Sequence, residues 1–150
     1  MREWLVGETL ESVAPSQRLS ALNDIAGALA ELAACPTGGG PWAGRASAYR
    51  GCHVSVVGDD VQQRLTDMPT STNAALHRLW QRAVRTVWNE APVWVHGDVA
   101  PGNMLFSETG QFVALIDFDQ SSIGDPACDL GFAWLSCNAT ERQAFLRGSP

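Results

Sequence analysis

Three polar residues in the second half of the chain have the types and spacing of a site for magnesium and a hydroxyl group. Asp98 follows the apolar residues 93–95, and Asn103 lies five positions later. Asp117 closes a second apolar run, residues 112–116. An accessible carboxylate at the end of a strand can orient and deprotonate a hydroxyl. An amide oxygen and a carboxylate suit Mg²⁺, which fills its shell with phosphate and water oxygens. The pattern therefore indicates phosphoryl transfer, in which positioning and charge neutralisation supply most of the catalysis.

Short apolar runs predict the strands that position these residues. The predicted strands are residues 4–6, 92–95, 103–106 and 112–116. The last two are separated by a turn sequence, Ser107-Glu108-Thr109-Gly110, and should form a hairpin. Such a hairpin would bring Asn103 and Asp117 to neighbouring strand ends. No βαβ repetition occurs, which argues against a Rossmann domain.

Periodic apolar residues predict the helices. The predicted helices are residues 16–34 with Ser16 as N-cap, residues 73–88, one beginning near Pro126, and a last one capped by Thr140. The apolar stripe of the second helix, including Trp80 and Trp88, is interpreted as core. Residues 36–70 are expected to be a long loop because Gly and Pro are frequent and no period is clear. The predicted fold is α+β, mainly α, in one domain spanning residues 1–150.

Composition and charge restrict the class of protein. The chain is 45% hydrophobic and 17% charged, as in an ordinary globular domain. The stretch after Met1 lacks a signal-peptide h-region, and no run is near the roughly 20 apolar residues that cross a bilayer, so a cytoplasmic protein without a membrane partner is predicted. A formal net charge of −6 argues against nucleic-acid binding. It would suit a cationic small substrate, although solubility explains the charge equally well.

The motifs resemble those of a known family. His96-Gly97-Asp98-x-x-x-x-Asn103, followed by Ile116-Asp117-Phe118, is similar to the aminoglycoside phosphotransferase and choline-kinase-like family, whose fold is like that of protein kinases. Gly124-Asp125-Pro126-Ala127-Cys128-Asp129-Leu130 is similar to the family's segment after the metal-binding Asp. The likeness covers nearly the whole chain and is densest over residues 93–135. It implies a kinase-like C-terminal lobe, with helices around a small β-hairpin that carries the catalytic loop.

The resemblance implies a role for each matched residue. Asp98 would be the catalytic base or hydroxyl-orienting residue, and Asn103 and Asp117 would hold Mg²⁺. His96 would have a structural role, and Asp129 would accept hydrogen bonds from the catalytic-loop backbone. Asp125 would cap the following helix, and Asp119 would either face solvent or contact a second metal. The implied cofactors are Mg²⁺ with ATP or GTP. The implied partner is a small molecule with a hydroxyl acceptor, and that molecule could be cationic.

The upstream part of a kinase site is not found in this sequence. No Gly-rich phosphate loop or strand lysine precedes Trp4, and lysine is absent throughout. We therefore expect a C-terminal lobe whose N-terminal β-lobe is missing, from an antibiotic-modifying or other small-molecule kinase, with weak or no activity alone. One alternative is a non-catalytic remnant or binding module that retains the fold. A metal-dependent phosphohydrolase is a third reading, and it would need further His or Asp ligands.

Overall fold

A computed structural model describes residues 5–150, except for the side chains of Thr70 and Ser71. The described residues form the α-helices α1 (Arg18–Ala33), α2 (Gly58–Thr66), α3 (Thr70–Arg85), α4 (Ala127–Leu130), α5 (Phe132–Ser136) and α6 (Ala139–Gly148). They form the strands β1 (Glu8–Thr9), β2 (Val93–Val95), β3 (Met104–Phe106), β4 (Phe112–Leu115) and β5 (Ser122–Gly124). The chain divides into a main unit, Met1–Gly51 with Pro92–Pro150, and a helical unit, Cys52–Ala91.

The core of the main unit forms where α1 packs against α6 and the hairpin. Leu22, Ile25 and Leu29 recur on one face of α1 and are buried. They belong to one apolar cluster with Phe106 of β3 and Phe145 of α6. Full burial of each such side chain stabilises the fold by about 1.5–3 kcal/mol. This cluster therefore gives the hairpin a fixed support.

Two small antiparallel sheets frame the loop that follows β2. β3 pairs with both β1 and β4, and Met104 lies opposite Leu115. β2 pairs with β5, and Val95 lies opposite Ser122. The chain before β2 also contributes, because the N–H of Ile123 donates to the carbonyl of Pro41. The ends of β2, β3 and β4 thus all lie next to the residues singled out for chemistry.

Several predicted elements are confirmed, and some of their ends are wrong. The hairpin of β3 and β4, the strand β2 and the helix α1 are present. Residues 5 and 6 form no strand, since pairing with β3 begins at Glu8, and residue 4 lies outside the described residues. Gln17 rather than Ser16 is the N-cap position of α1. The cap of α6 is Asn138 rather than Thr140, because Asn138 Oδ1 accepts hydrogen bonds from two backbone N–H groups.

The helical unit differs most from expectation. α2 lies within the segment expected to be a loop, and it buries Leu65. α3 begins at Thr70 and ends before Trp88. The prediction that its apolar stripe is core is wrong, because no described side chain of α3 is buried and Leu79 is 59% exposed. Periodicity identifies an apolar face but does not supply a partner for it. No helix within residues 5–150 combines the length and hydropathy needed to span a bilayer.

Candidate active site

The loop after β2 brings Asp98 and Asn103 into contact. A single 3₁₀ turn, Pro101–Asn103, returns the chain to β3. Asn103 Nδ2 donates to the backbone carbonyl of Asp98 at 2.9 Å and to its carboxylate Oδ2 at 3.1 Å. Both side chains are half-buried. The amide nitrogen of Asn103 therefore fixes the Asp98 carboxylate, while its amide oxygen remains available to another partner.

Asp117 is the second residue after β4, and it follows Ile116, whose backbone is hydrogen-bonded to Asn103. The N–H of Ile116 donates to the Asn103 carbonyl at 3.0 Å. Asp117 itself adopts a left-handed conformation, with φ 65° and ψ 66°. Asp tolerates this region better than most residues, but a non-glycine residue there still costs on the order of 1 kcal/mol. This conformation changes the direction of the chain after the strand, and Asp117 is exposed.

His96 is fully buried and connects the two halves of the site. Its Nε2 lies 3.0 Å from the carbonyl oxygen of Ile116, and its Nδ1 accepts from the N–H of Asp98 at 3.2 Å. A carbonyl can only accept and an N–H can only donate, so these partners select the neutral tautomer with hydrogen on Nε2. The ring packs against Phe118, with centroids 4.6 Å apart. His96 is thus bonded to the backbone on both sides, and its structural role remains a prediction.

Asp129 of α4 is hydrogen-bonded to the backbone of the same loop. Its two carboxylate oxygens accept from the N–H groups of His96 and Gly97, each at 2.8 Å. The residue is only 4% exposed. Burial raises the pKa of the Asp129 carboxyl, and the two N–H donors oppose this rise without cancelling it. The carboxylate satisfies two backbone donors that would otherwise be buried without partners.

Asp125 and Asp119 lie at the edge of this arrangement. Asp125 Oδ1 accepts from the N–H of Ala127 at 2.8 Å and so satisfies one N–H of the first turn of α4, although Pro126 and not Asp125 is at the N-cap position. Asp119 is exposed in the turn Phe118–Gln120, and its side chain makes no hydrogen bond to any other residue of the described chain. The structure therefore groups Asp98, Asn103, Asp117, His96 and Asp129, and leaves Asp119 outside the group.

Residues 41–51 also border the site, and sequence reasoning missed them. The N–H of Ala43 donates to Ile123, and the N–H of Asp125 donates to the carbonyl of Gly51 at 2.8 Å. A Cβ at Gly124 would collide with that same carbonyl. In the sequence, only Gly51 and Gly124 indicated that two backbone segments come close together, and two glycines are weak evidence for this. This segment runs alongside β5 and ends next to Gly97.

The donor set fits a magnesium ion. Residues 5–150 contain no cluster of three or more His, Cys, Asp or Glu side chains that could hold a metal by themselves. The candidate donors are instead the amide oxygen of Asn103 and the carboxylate of Asp117, which accepts no hydrogen bond within the described residues. One neutral and one charged oxygen match the few protein ligands that Mg²⁺ takes when phosphates and water complete its shell.

Gly97 is the position in this loop that should be least tolerant of a side chain. Its φ is +83°, and an added Cβ would lie 2.5 Å from the carbonyl oxygen of Gln120. We expect Gly97→Ala to lower the free energy of unfolding by about 2–3 kcal/mol, since it combines backbone strain with overpacking. Urea denaturation of the purified variant measures this loss.

Gly102 provides the matched control in the same loop. No atom lies within 4 Å of the position where its Cβ would be. Gly102→Ala should therefore change the free energy of unfolding by less than about 1 kcal/mol. Equal losses in the two alanine variants would contradict the close contact between Gly97 and Gln120.

Comparisons with known proteins agree on the fold. The macrolide 2'-phosphotransferase type I matches at 24% identity with a TM-score of 0.68, over 97% of this chain and 52% of that one. The GDP complex of aminoglycoside 2'-phosphotransferase-IIIa matches at 18% identity with a TM-score of 0.70, over 97% and 52%. The streptomycin–ATP ternary complex of APH(2")-IIa matches at 17% identity with a TM-score of 0.59, over 97% and 54%. The chain thus spans about half the length of each of these proteins.

These likenesses confirm the predicted fold class, a mainly α lobe of the protein-kinase-like kind around a small sheet. No match was found among curated protein sequences. The family model for phosphotransferase enzymes (APH) matches residues 1–149, which is nearly the whole chain. The chain belongs to the phosphotransferase enzyme family.

Proposed function

We propose that this chain carries the catalytic-loop half of an ATP- or GTP-dependent O-phosphotransferase that acts on a small molecule. The observation that carries the proposal is the contact between Asp98 and Asn103, with Asp117 one residue beyond the hydrogen bond from Ile116 to Asn103. Two of the three proposed side chains are thereby in contact, and backbone pairing holds the third residue next to them in the chain fold. Phosphoryl transfer requires little covalent chemistry of the protein. Its catalysis depends on positioning the reactants and on neutralising charge, which such residues can provide.

Asp98 would orient the acceptor hydroxyl and take its proton. Its carboxylate is half-buried, and only Oδ2 is engaged by Asn103. Oδ1 is therefore available to a hydroxyl at hydrogen-bond distance. The hydrogen bond from Asn103 keeps the carboxylate in one rotamer, so that the hydroxyl is held in line with the phosphorus atom it attacks.

Asn103 and Asp117 would hold Mg²⁺ with the nucleotide phosphates. The ion would neutralise the charge that develops on the phosphate oxygens. Two relatives of this fold are a GDP complex and an ATP complex, which supports nucleotide use without choosing between the two bases. The relatives include proteins named for aminoglycosides and macrolides, so antibiotics with hydroxyl groups are the first acceptors to test.

Nucleotide binding tests the site before any turnover is required. Isothermal titration calorimetry with ATP and GTP should show heat of binding that depends on Mg²⁺ and is lost in EDTA. Asp117→Asn should weaken Mg²⁺–nucleotide binding by about tenfold or more, because one of the two proposed protein ligands loses its charge. Asp119→Asn removes the same charge two residues away and should have little effect. Equal weakening by both variants would contradict the assignment of Asp117.

A phosphotransfer assay then separates the enzyme from a binding module. Aminoglycosides, macrolides and simple amino alcohols are offered with Mg²⁺ and a labelled nucleotide, and transfer to the acceptor is followed by mass spectrometry. Phosphorylated acceptor supports the proposal. Magnesium-dependent nucleotide binding without any transfer would favour the second candidate, a non-catalytic module that retains the metal ligands.

A further inference from the structure

Residues 45–51 form a strained strap beside the catalytic loop. Ala48 and Tyr49 are consecutive non-glycine residues with φ of 48° and 63°, and Gly51 follows with φ 76°. Each non-glycine residue in the left-handed region costs on the order of 1 kcal/mol or more. Such a conformation persists only where the surrounding structure enforces it, and it is concentrated at functional sites.

Hydrogen bonds from two buried serines enforce this conformation. Ser47 Oγ lies 3.1 Å from the carbonyl oxygens of both Gly44 and Arg50, and Ser47 is 3% exposed. Ser122 Oγ of β5 also donates to the Arg50 carbonyl at 3.1 Å. The carbonyl of Gly51 accepts from Asp125. The backbone of Arg50 is thereby fixed to β5 and to the segment before α4.

The side chain of Arg50 lies between the Asp98 loop and the segment after Asp117. Its Cβ is 3.1 Å from the position that a Gly97 Cβ would occupy. Its Nε donates to Oε1 of Gln120 at 3.2 Å. The absence of a side chain at Gly97 leaves the room in which the Arg50 stem packs. The stem of Arg50 therefore packs against Gly97, the residue that precedes Asp98, while its guanidinium lies at Gln120, three residues after Asp117.

This guanidinium has no carboxylate partner among residues 5–150. Arg18 pairs with Glu141 at 2.8 Å, and Arg142 donates to the carbonyls of Ala133 and Cys137. Arg50 makes only the one hydrogen bond to a neutral amide, so both of its Nη groups are unused within the described structure. The sequence contains no lysine, so a side chain with a permanent positive charge in this chain is an arginine.

We propose that Arg50 is a binding residue for an anionic oxygen group placed beside Asp98. A guanidinium fork that is held at Nε and open at both Nη atoms suits bidentate contact with phosphate or carboxylate oxygens. The group is either a phosphate of the nucleotide or an acid group on the acceptor. The inference extends the proposed phosphotransferase site, but phosphate binding at Arg50 requires no turnover.

The first experiment titrates the chain with inorganic phosphate and with pyrophosphate and follows the ¹⁵N-labelled arginine Nε–Hε resonances by NMR. The Arg50 resonance, assigned by its absence in Arg50→Gln, should shift on titration. Arg50→Gln should weaken binding about tenfold or more, whereas Arg50→Lys should restore part of it through charge alone. Arg45→Gln is the matched control, since Arg45 is an exposed cation of the same strap.

Three results overturn the proposal: no binding of either anion, an unshifted Arg50 resonance, or equal weakening by Arg50→Gln and Arg45→Gln. Kinetics then identify the source of the anion. A rise in KM for nucleotide alone in Arg50→Gln assigns a nucleotide phosphate, and a rise in KM for acceptor alone assigns an acceptor acid group. A chain without phosphotransfer that still binds pyrophosphate through Arg50 rejects the proposed activity but retains the anion site.

Discussion

Replacing Asp98 by Asn should lower kcat for phosphotransfer by a factor of about 10²–10⁴, the usual contribution of a positioned general base. An amide oxygen can still accept the hydrogen bond that Asn103 Nδ2 donates at 3.1 Å, so the loop should keep its conformation. It cannot take a proton from the acceptor hydroxyl. The measurement is the steady-state rate at saturating nucleotide and acceptor.

Nucleotide affinity provides the internal control for this variant. The dissociation constant of the Mg²⁺–nucleotide complex should change less than about threefold, because Asp98 is proposed to contact the acceptor and not the metal. A variant that keeps its kcat would show that the proton leaves by another route. A variant that loses nucleotide binding as well would place Asp98 among the metal ligands.

Replacing Asp129 by Ala should lower the free energy of unfolding by about 2–6 kcal/mol, because each of two buried N–H groups left without an acceptor costs about 1–3 kcal/mol. The backbone N–H groups of His96 and Gly97 would each lose an acceptor at 2.8 Å in a buried position. Activity should fall with stability, since these two residues precede Asp98. Urea denaturation and circular dichroism measure the loss.

Asp125→Ala is the matched control, from the same segment and with the same change of charge. It removes one hydrogen bond at the start of α4 and should cost only about 1 kcal/mol.

The pH dependence of the free energy of unfolding is a further test of Asp129. Because the pKa of Asp129 is raised from 3.8, the folded chain binds its proton more tightly than the unfolded chain. This group's contribution to stability is full below pH 3.8 and is lost as pH rises through the folded pKa. Asp129→Ala should abolish that part of the pH dependence, and its persistence would contradict the assignment.

Local sequence was sufficient to predict the hairpin and the residues at its ends. The turn after Phe106 and the short apolar runs on either side of it specify β3 and β4 with little help from the rest of the chain. Asn103 and Asp117 come together because antiparallel pairing requires it. The motif around Asp98 named the residues of the candidate site, and their chemical roles remain predictions.

Features that depend on distant partners could not be predicted in the same way. α2 has two apolar residues in its middle turns, too few to establish a period. β1 forms because it pairs with the edge of β3 that β4 does not occupy. The polar residue Glu8 takes part in this pairing, whereas the apolar Leu5 and Val6 do not. The strap at residues 45–51 depends on Ser122 and Asp125, which lie more than 70 positions away.

The imidazole of His96 acts as a spacer of fixed length between the loop that carries Asp98 and the strand end that carries Asp117. It bonds to the backbone on both sides, at 3.2 Å to the N–H of Asp98 and 3.0 Å to the carbonyl of Ile116. The separation of these two backbone segments is consequently a property of the folded chain and not of anything bound to it. The entropy of ordering the two segments is lost during folding, so substrate binding does not have to supply it.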